Sequence, residues 1–157
     1  MNAALKKKLV SAFSAELKVL YPAFRRQKGD GSGFVDYVWH YSPSLQFQVA
    51  LETHRRCDAF TLRTGWRTKE WVPWDEPIRP DPALDRWYGR VDELDPDAMP
   101  KWWSLGPVVS YLKTLPMSPD VNAAAASTLQ EFVRSAVPYL VRVAFAHGLA
   151  SDRLLID

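Results

Sequence analysis

The chain predicts an α+β fold, an antiparallel sheet of about four strands packed against an N-terminal helix and C-terminal helices. Three observations carry this prediction. Apolar side chains recur at steps of three and four near the N-terminus. The period drops to two in three successive runs between Phe34 and Trp66. Helical spacing then returns in the last third.

Asn2 suits the N-cap of the first helix, because its side-chain oxygen can accept from one of the orphan N–H groups. Leu5, Leu9, Phe13, Leu17 and Leu20 line one face and Pro22 ends the run. Lys6, Lys7, Lys8, Glu16 and Lys18 fall mostly on the other face. Phe24 anchors the exit, and residues 25–33 (Arg-Arg-Gln-Lys-Gly-Asp-Gly-Ser-Gly) form a basic, glycine-rich connector. Residues 34–41 are aromatic and β-branched, and Ser42-Pro43-Ser44 supplies a turn. In 45–53, Leu45, Phe47, Val49 and Leu51 share one face, with Gln46, Gln48 and Glu52 on the other. Residues 59–66 alternate again, Phe60, Leu62 and Trp66 against Thr61 and Arg63. Connections this short require an antiparallel meander.

Residues 67–103 break the rhythm. Pro73, Pro77, Pro80, Pro82, Pro96 and Pro100 exclude a long helix, while Trp71, Trp74, Trp87, Trp102 and Trp103 exclude an ordinary disordered linker. The segment reads as an ordered Pro/Trp-rich excursion with a fourth strand within 86–91. Residues 107–114 predict a short helix, and Ser118 caps a longer one with Pro119 in its first turn. Val121, Leu129, Phe132, Val133, Ala136 and Val137 mark its buried face. Pro138 predicts a kink or break, since it lacks the N–H that the ladder needs. Residues 139–147 resume the pattern and Gly148 stops it.

With 157 residues, 47% hydrophobic and 24% charged, the chain is long enough to bury a core as one domain without disulfides or metals. Cys57 is the single cysteine, so no intrachain disulfide forms, which fits a reducing compartment. No apolar stretch follows the N-terminal lysines, and none approaches the ~20 residues of a membrane span. The expectation is a soluble, cytoplasmic protein. Charge is segregated: residues 1–69 carry 12 Lys/Arg against 5 Asp/Glu, and 70–100 carry 3 against 9. A charged partner can read that polarity.

None of the motifs completes a catalytic or metal site. His54 and Cys57 stand three apart beside Asp58, but a structural zinc needs a second such pair, and the sequence has none. Asp36 and His40 share a strand face ~13 Å apart, too far to form a dyad. The glycines of 29–33 lack the Lys-Ser/Thr of a phosphate loop and precede a strand instead of a helix. Nine acids in 70–100 furnish chance carboxylate pairs without an apolar pocket to tune them. Lys6–Lys8, Arg25, Arg26, Lys28, Arg55, Arg56, Arg63 and Arg67, with Tyr37 and Trp39 for stacking, make a nucleic-acid surface the rival reading. It has no RRM, KH or zinc-finger signature and sits beside an acidic segment. The best candidate is the aromatic, acidic excursion, because interface hot spots favour Trp, Tyr and Arg. Its partner-binding residues are Trp71, Trp74, Asp75, Glu76, Arg86, Trp87 and Tyr88, whereas Trp102 and Trp103 are assigned to the core.

The order of motifs is Tyr21-Pro22-Ala23-Phe24-Arg25-Arg26-Gln27-Lys28-Gly29, the strand of 34–41, Phe60-Thr61-Leu62-Arg63-Thr64-Gly65, Arg90-Val91-Asp92-Glu93-Leu94, Trp102-Trp103-Ser104-Leu105 and Val137-Pro138-Tyr139-Leu140. It resembles the bacterial domain-of-unknown-function 4304 family. The resemblance implies an antiparallel sheet backed by helices and no catalytic residue or cofactor. Domains of this general kind often lie beside bacterial toxin genes and act as immunity proteins. The Pro/Trp-rich stretch 67–86 is longer here than in that pattern. The functional expectation is a non-enzymatic module that binds and neutralises a cognate toxin, with a basic toxin domain attracted to the acidic tryptophan-bearing segment. The alternatives are a nucleic-acid-binding accessory and a small hydrolase.

Overall fold

The computed structural model describes residues 1–29, 33–68, 79–94, 102–106, 115–117 and 120–156. Residues 69–78 and 95–101 of the excursion, the helix expected at 107–114, and Ser118 and Pro119 lie outside the described residues.

Helix α1 spans Ala3–Leu20, and the Asn2 side chain accepts from the Leu5 N–H at 2.8 Å as its N-cap. Strands follow as β1 (Arg25–Arg26), β2 (Phe34–His40), β3 (Leu45–Thr53), β4 (Ala59–Thr68), β5 (Arg86–Arg90), β6 (Trp103–Ser104) and β7 (Leu115–Met117). The long strands are those expected, and all pair antiparallel along β2-β3-β4-β5. Three short strands were not legible: β1 on the β2 edge, β6 beside the start of β4, and β7 parallel to β6. A two- or three-residue strand is set by its neighbour and has no period of its own to read.

Helix α2 (Val121–Glu131) is capped by Asp120, whose carboxylate accepts from the Asn122 N–H at 2.9 Å, and not by Ser118. It begins two residues later than Pro119 suggested, because the Asp120 carboxylate already satisfies an orphan donor there. Pro138 neither breaks nor ends the helical run. Residues Phe132–Ala136 form a π turn, closed by the Val137 N–H on the Phe132 carbonyl, and α3 (Val137–Ala146) continues with Pro138 in its first turn. Widening by one residue moves aside the carbonyl that the proline ring would strike, and leaves the missing N–H at a position where none is needed. Gly148 ends α3 at φ +71°, with the Leu149 N–H on Ala144 O at 2.9 Å and the Gly148 N–H on Phe145 O at 3.0 Å. That pair of bonds is the Schellman arrangement, which requires a left-handed residue at this position. Among the described residues, no helix is long and apolar enough to cross a membrane.

The core lies between the helices and one face of the sheet. Phe13 of α1 meets Tyr37 of β2 at 5.5 Å between ring centroids, and Ser14 Oγ and Tyr37 OH share a 2.6 Å hydrogen bond. Tyr21, Phe24, Trp39 and Phe132 interlock edge to face or tilted at 5.5–6.3 Å. Trp66 stacks on Tyr139 of α3 and tilts against Trp87 of β5. The C-terminal segment closes this end: Tyr21 OH donates to Leu154 O, Tyr41 OH to Ala150 O, and the Arg153 guanidinium lies over Trp39 and Tyr41. Trp103 is buried and stacks on Phe60, as expected of a core residue, while Trp102 is half-buried with its ring edge-on to His54. Tyr37 and Trp39, with 2% and 5% exposure, face this core and offer nucleic acid no stacking surface.

Two predictions follow from this packing. A Cβ on Gly65 would stand 2.3 Å from the Trp87 carbonyl oxygen and 2.9 Å from Tyr88 Cα, while one on Gly29 meets nothing within 4 Å. Gly65→Ala should therefore cost about 1–3 kcal/mol in urea denaturation, the ordinary cost of overpacking, while Gly29→Ala stays near neutral. Burial pushes the Tyr21 hydroxyl up to about 12 from its ordinary value of 10.0. The unfolded tyrosine ionises first, so stability is intact below pH ~10 and falls as pH rises towards the folded value. Tyr21→Phe should flatten that alkaline decline in thermal-melt series across pH, while losing about 1 kcal/mol at neutral pH with the Leu154 bond.

Candidate functional site

Strand alternation turns every second residue of β2–β5 away from the helices, and the register sorts these outward residues into transverse rows. The first row is His40–Gln46–Arg67–Arg86 and the second Val38–Gln48–Gly65–Tyr88. The third is Asp36–Ala50–Arg63–Arg90, and Phe34–Glu52–Thr61 closes the face. The middle is lined by small residues, Gly65 and Ala50. Because Gly65 has no side chain, the Tyr88 ring can lie down across it, with Cδ2 at 3.0 Å from where a Cβ would be.

Around Tyr88 the polar groups satisfy one another. The Arg63 guanidinium lies 5.6 Å from the Phe34 ring centroid and 5.7 Å from that of Tyr88, and its Nε donates to Glu52 at 2.6 Å. Gln48 Nε2 donates to Asp36 at 2.8 Å. The Tyr88 hydroxyl is pushed well above its ordinary value, first by burial and then by the Asp36 carboxylate, with Arg63 opposing. Even so, 41% of the residue remains exposed. At the far end of β5, Arg90 pairs with Asp92 at 3.2 Å and Glu93 at 3.3 Å. An arginine held against two rings by a carboxylate is pre-organised and needs little further loss of side-chain freedom on binding.

Of the residues that the sequence marks for a partner, Trp71, Trp74, Asp75 and Glu76 lie outside the described residues. Arg86 and Tyr88 point outward on adjacent rows. Trp87 does not: it is 4% exposed, and its ring lies 5.5 Å from Trp66 in the core. The alternation of Arg86–Arg90 demands this, because neighbours on a strand cannot share a face. Phe34, Asp36, Glu52 and Arg63 were not assembled into a site from the sequence. Arg63 was readable as outward from its own strand, but its position between Phe34 and Tyr88 depends on pairing across β2 to β5.

The His54–Cys57 corner is a second cluster. Cys57 Sγ lies 2.8 Å from His54 Nδ1, which also receives the Arg56 N–H at 3.2 Å, so the thiol is the donor to that nitrogen. The N-terminal ammonium donates to His54 O at 3.0 Å. Beside them lies an open hollow of about 560 Å³ lined by Gly33, Phe34, Glu52, Thr53, His54, Arg55, Arg56 and Trp102. Burial is the main influence on the Cys57 thiol and raises it above its ordinary value, the reverse of what an activated nucleophile requires. Among the described residues, no three His, Cys, Asp or Glu side chains group to hold a metal ion.

No family model, curated protein or solved structure matches this chain. With its thiol protonated at neutral pH, Cys57 should react slowly with iodoacetamide at pH 7, and the rate should climb continuously through pH 9. A plateau below pH 8 in the alkylation profile would mark a thiolate that the geometry does not support.

Proposed function

We propose that this chain is a non-enzymatic protein-binding module whose interface is the outward face of the sheet centred on Tyr88 and Arg63. The observation that carries this reading is the Phe34–Arg63–Tyr88 stack. It is a tyrosine and an arginine, the residue types that dominate interface hot spots, held against one another on the outward face with Tyr88 partly exposed. The contacts of Asp36, Gln48, Glu52 and Arg63 are made with one another and with the two rings of the stack, across this face. A partner that excludes water strengthens those charge-assisted bonds, since their local dielectric falls.

The most concrete form of the proposal is a bacterial immunity-type protein that binds and neutralises a cognate toxin by occlusion. The raised thiol, and the engagement of the Asp36 and Glu52 carboxylates by Gln48 and Arg63, favour binding over catalysis. The nucleic-acid reading is weaker, because Tyr37 and Trp39 are core residues.

Affinity capture from the host with wild-type chain, followed by titration of the captured protein against variants, tests this. Tyr88→Ala should weaken binding by roughly 30-fold or more, the effect of losing about 2 kcal/mol at a hot spot. Phe145→Ala, which alters a side chain 82% exposed on α3, should leave it unchanged. Equal affinity of wild type and Tyr88→Ala, with both melting alike, would remove this face from the interface.

A further inference from the structure

We infer that the cationic row at the end of the outward face is a receptor site for carboxylates, so that the segment of the partner docking there is acidic. The inference rests on the interface reading above and adds the partner's chemistry. It also reverses the sign expected from the acidic excursion, which called for a basic partner.

The row His40–Gln46–Arg67–Arg86 crosses four strands and contains no carboxylate. Neighbouring strands lie about 4.8 Å apart, so the row spans ~14 Å, the reach of a short extended segment centred on Arg67. Arg67 is exposed, and its Nη2 donates to Gln46 Oε1 at 3.1 Å. That single bond to a neutral acceptor orients the guanidinium without cancelling its charge, and the rest of its N–H fork remains for a planar oxyanion. Arg63 and Arg90, by contrast, are already matched to Glu52, Asp92 and Glu93. Among the described residues, charge is therefore compensated on the third row and uncompensated at Arg67.

A hollow of about 310 Å³ opens beside Arg67, lined also by His40, Ser42, Ser44, Gln46 and Thr68. Thr68 follows Arg67 on β4, so its side chain turns to the opposite face, and it borders the hollow only at its edge. The serine hydroxyls at the rim are themselves held in place: Ser42 Oγ receives the Leu45 N–H at 3.0 Å and lies 3.1 Å from Ser44 Oγ. Arginine charge, the rim serines and an open hollow meet at one end of β3 and β4. Tyr88 stands one row away to pack against the apolar part of the same ligand segment.

The test is titration of the ¹⁵N-labelled full chain with hexaglutamate, with inorganic phosphate and with a dodecamer of thymidylate at low ionic strength. Hexaglutamate should shift the amides of Ser42, Ser44, Arg67 and Thr68 first. Arg67→Glu should weaken that binding at least tenfold, and Arg67→Gln, which keeps much of the length and removes the charge, should weaken it severalfold, both with no loss of melting temperature. The inference is overturned if hexaglutamate shifts map elsewhere, if Arg67→Glu binds as wild type does, or if phosphate alone saturates the site equally well. Tighter binding of thymidylate at the same residues overturns it in favour of nucleic acid. With the captured partner, loss of binding in Tyr88→Ala but not in Arg67→Glu rejects the acidic contact and keeps the interface. Retention in both variants rejects the interface reading itself.

Discussion

Strand β4 has three partners, and its ten residues therefore carry both the core and the candidate interface. Phe60, Leu62, Thr64 and Trp66 turn towards the helices; Thr61, Arg63, Gly65 and Arg67 turn away. A one-residue slip against β3 would exchange these sets, burying two arginines and exposing a tryptophan and a phenylalanine. That cost pins the register, and through it the rows that place His40, Gln46, Arg67 and Arg86 side by side. The outward face is thus a by-product of how firmly the inward face is specified.

The glycines of this pairing serve packing. Opposite each other on β4 and β5 run Gly65 beside Tyr88, and Thr64 beside Gly89. On the outer side Gly65 accepts the Tyr88 ring; on the inner side Gly89 accepts the Trp87 ring, where a Cβ would meet Trp87 Cζ2 at 2.5 Å. Each missing side chain lets a large ring from the neighbouring position lie flat on the strands. An aromatic covering a strand glycine recovers some of the burial that the glycine forgoes, and it fixes the ring's orientation. Tyr88 is therefore rigid enough to act as an anchor while much of it still meets solvent.

Charge on the outward face is arranged unevenly. Where Arg63 meets Glu52 the pair is partly exposed, with 26% and 22% of the side chains accessible, and contributes little to stability by itself. Its role is geometric: it keeps the guanidinium between Phe34 and Tyr88. Arg67 has a neutral partner instead, so its field extends outward. The two arrangements suit different tasks, a pre-organised central contact and a peripheral site that steers an acidic ligand.

The sequence by itself determined the elements whose period is long enough to register: α1 from Leu5, Leu9, Phe13 and Leu17, the alternation of β3, and the stop at Gly148. It also separated Arg63 from Leu62 and Trp66, since neighbours on a strand face opposite ways. What it could not determine is anything that depends on pairing between distant segments. Trp87 was grouped with Arg86 and Tyr88 because all three are hot-spot residue types, and only its packing on Trp66 and the helix beyond assigned it to the core. The π turn before Pro138 and the short strands β1, β6 and β7 depend equally on neighbours. Asp36, Glu52, Arg63 and Tyr88 lie up to fifty-two positions apart, and only the register of four strands makes them one cluster. Local periodicity specifies which way a side chain points; only the tertiary structure decides what it points at, because strand pairing is a long-range choice made by the burial of the whole inward face.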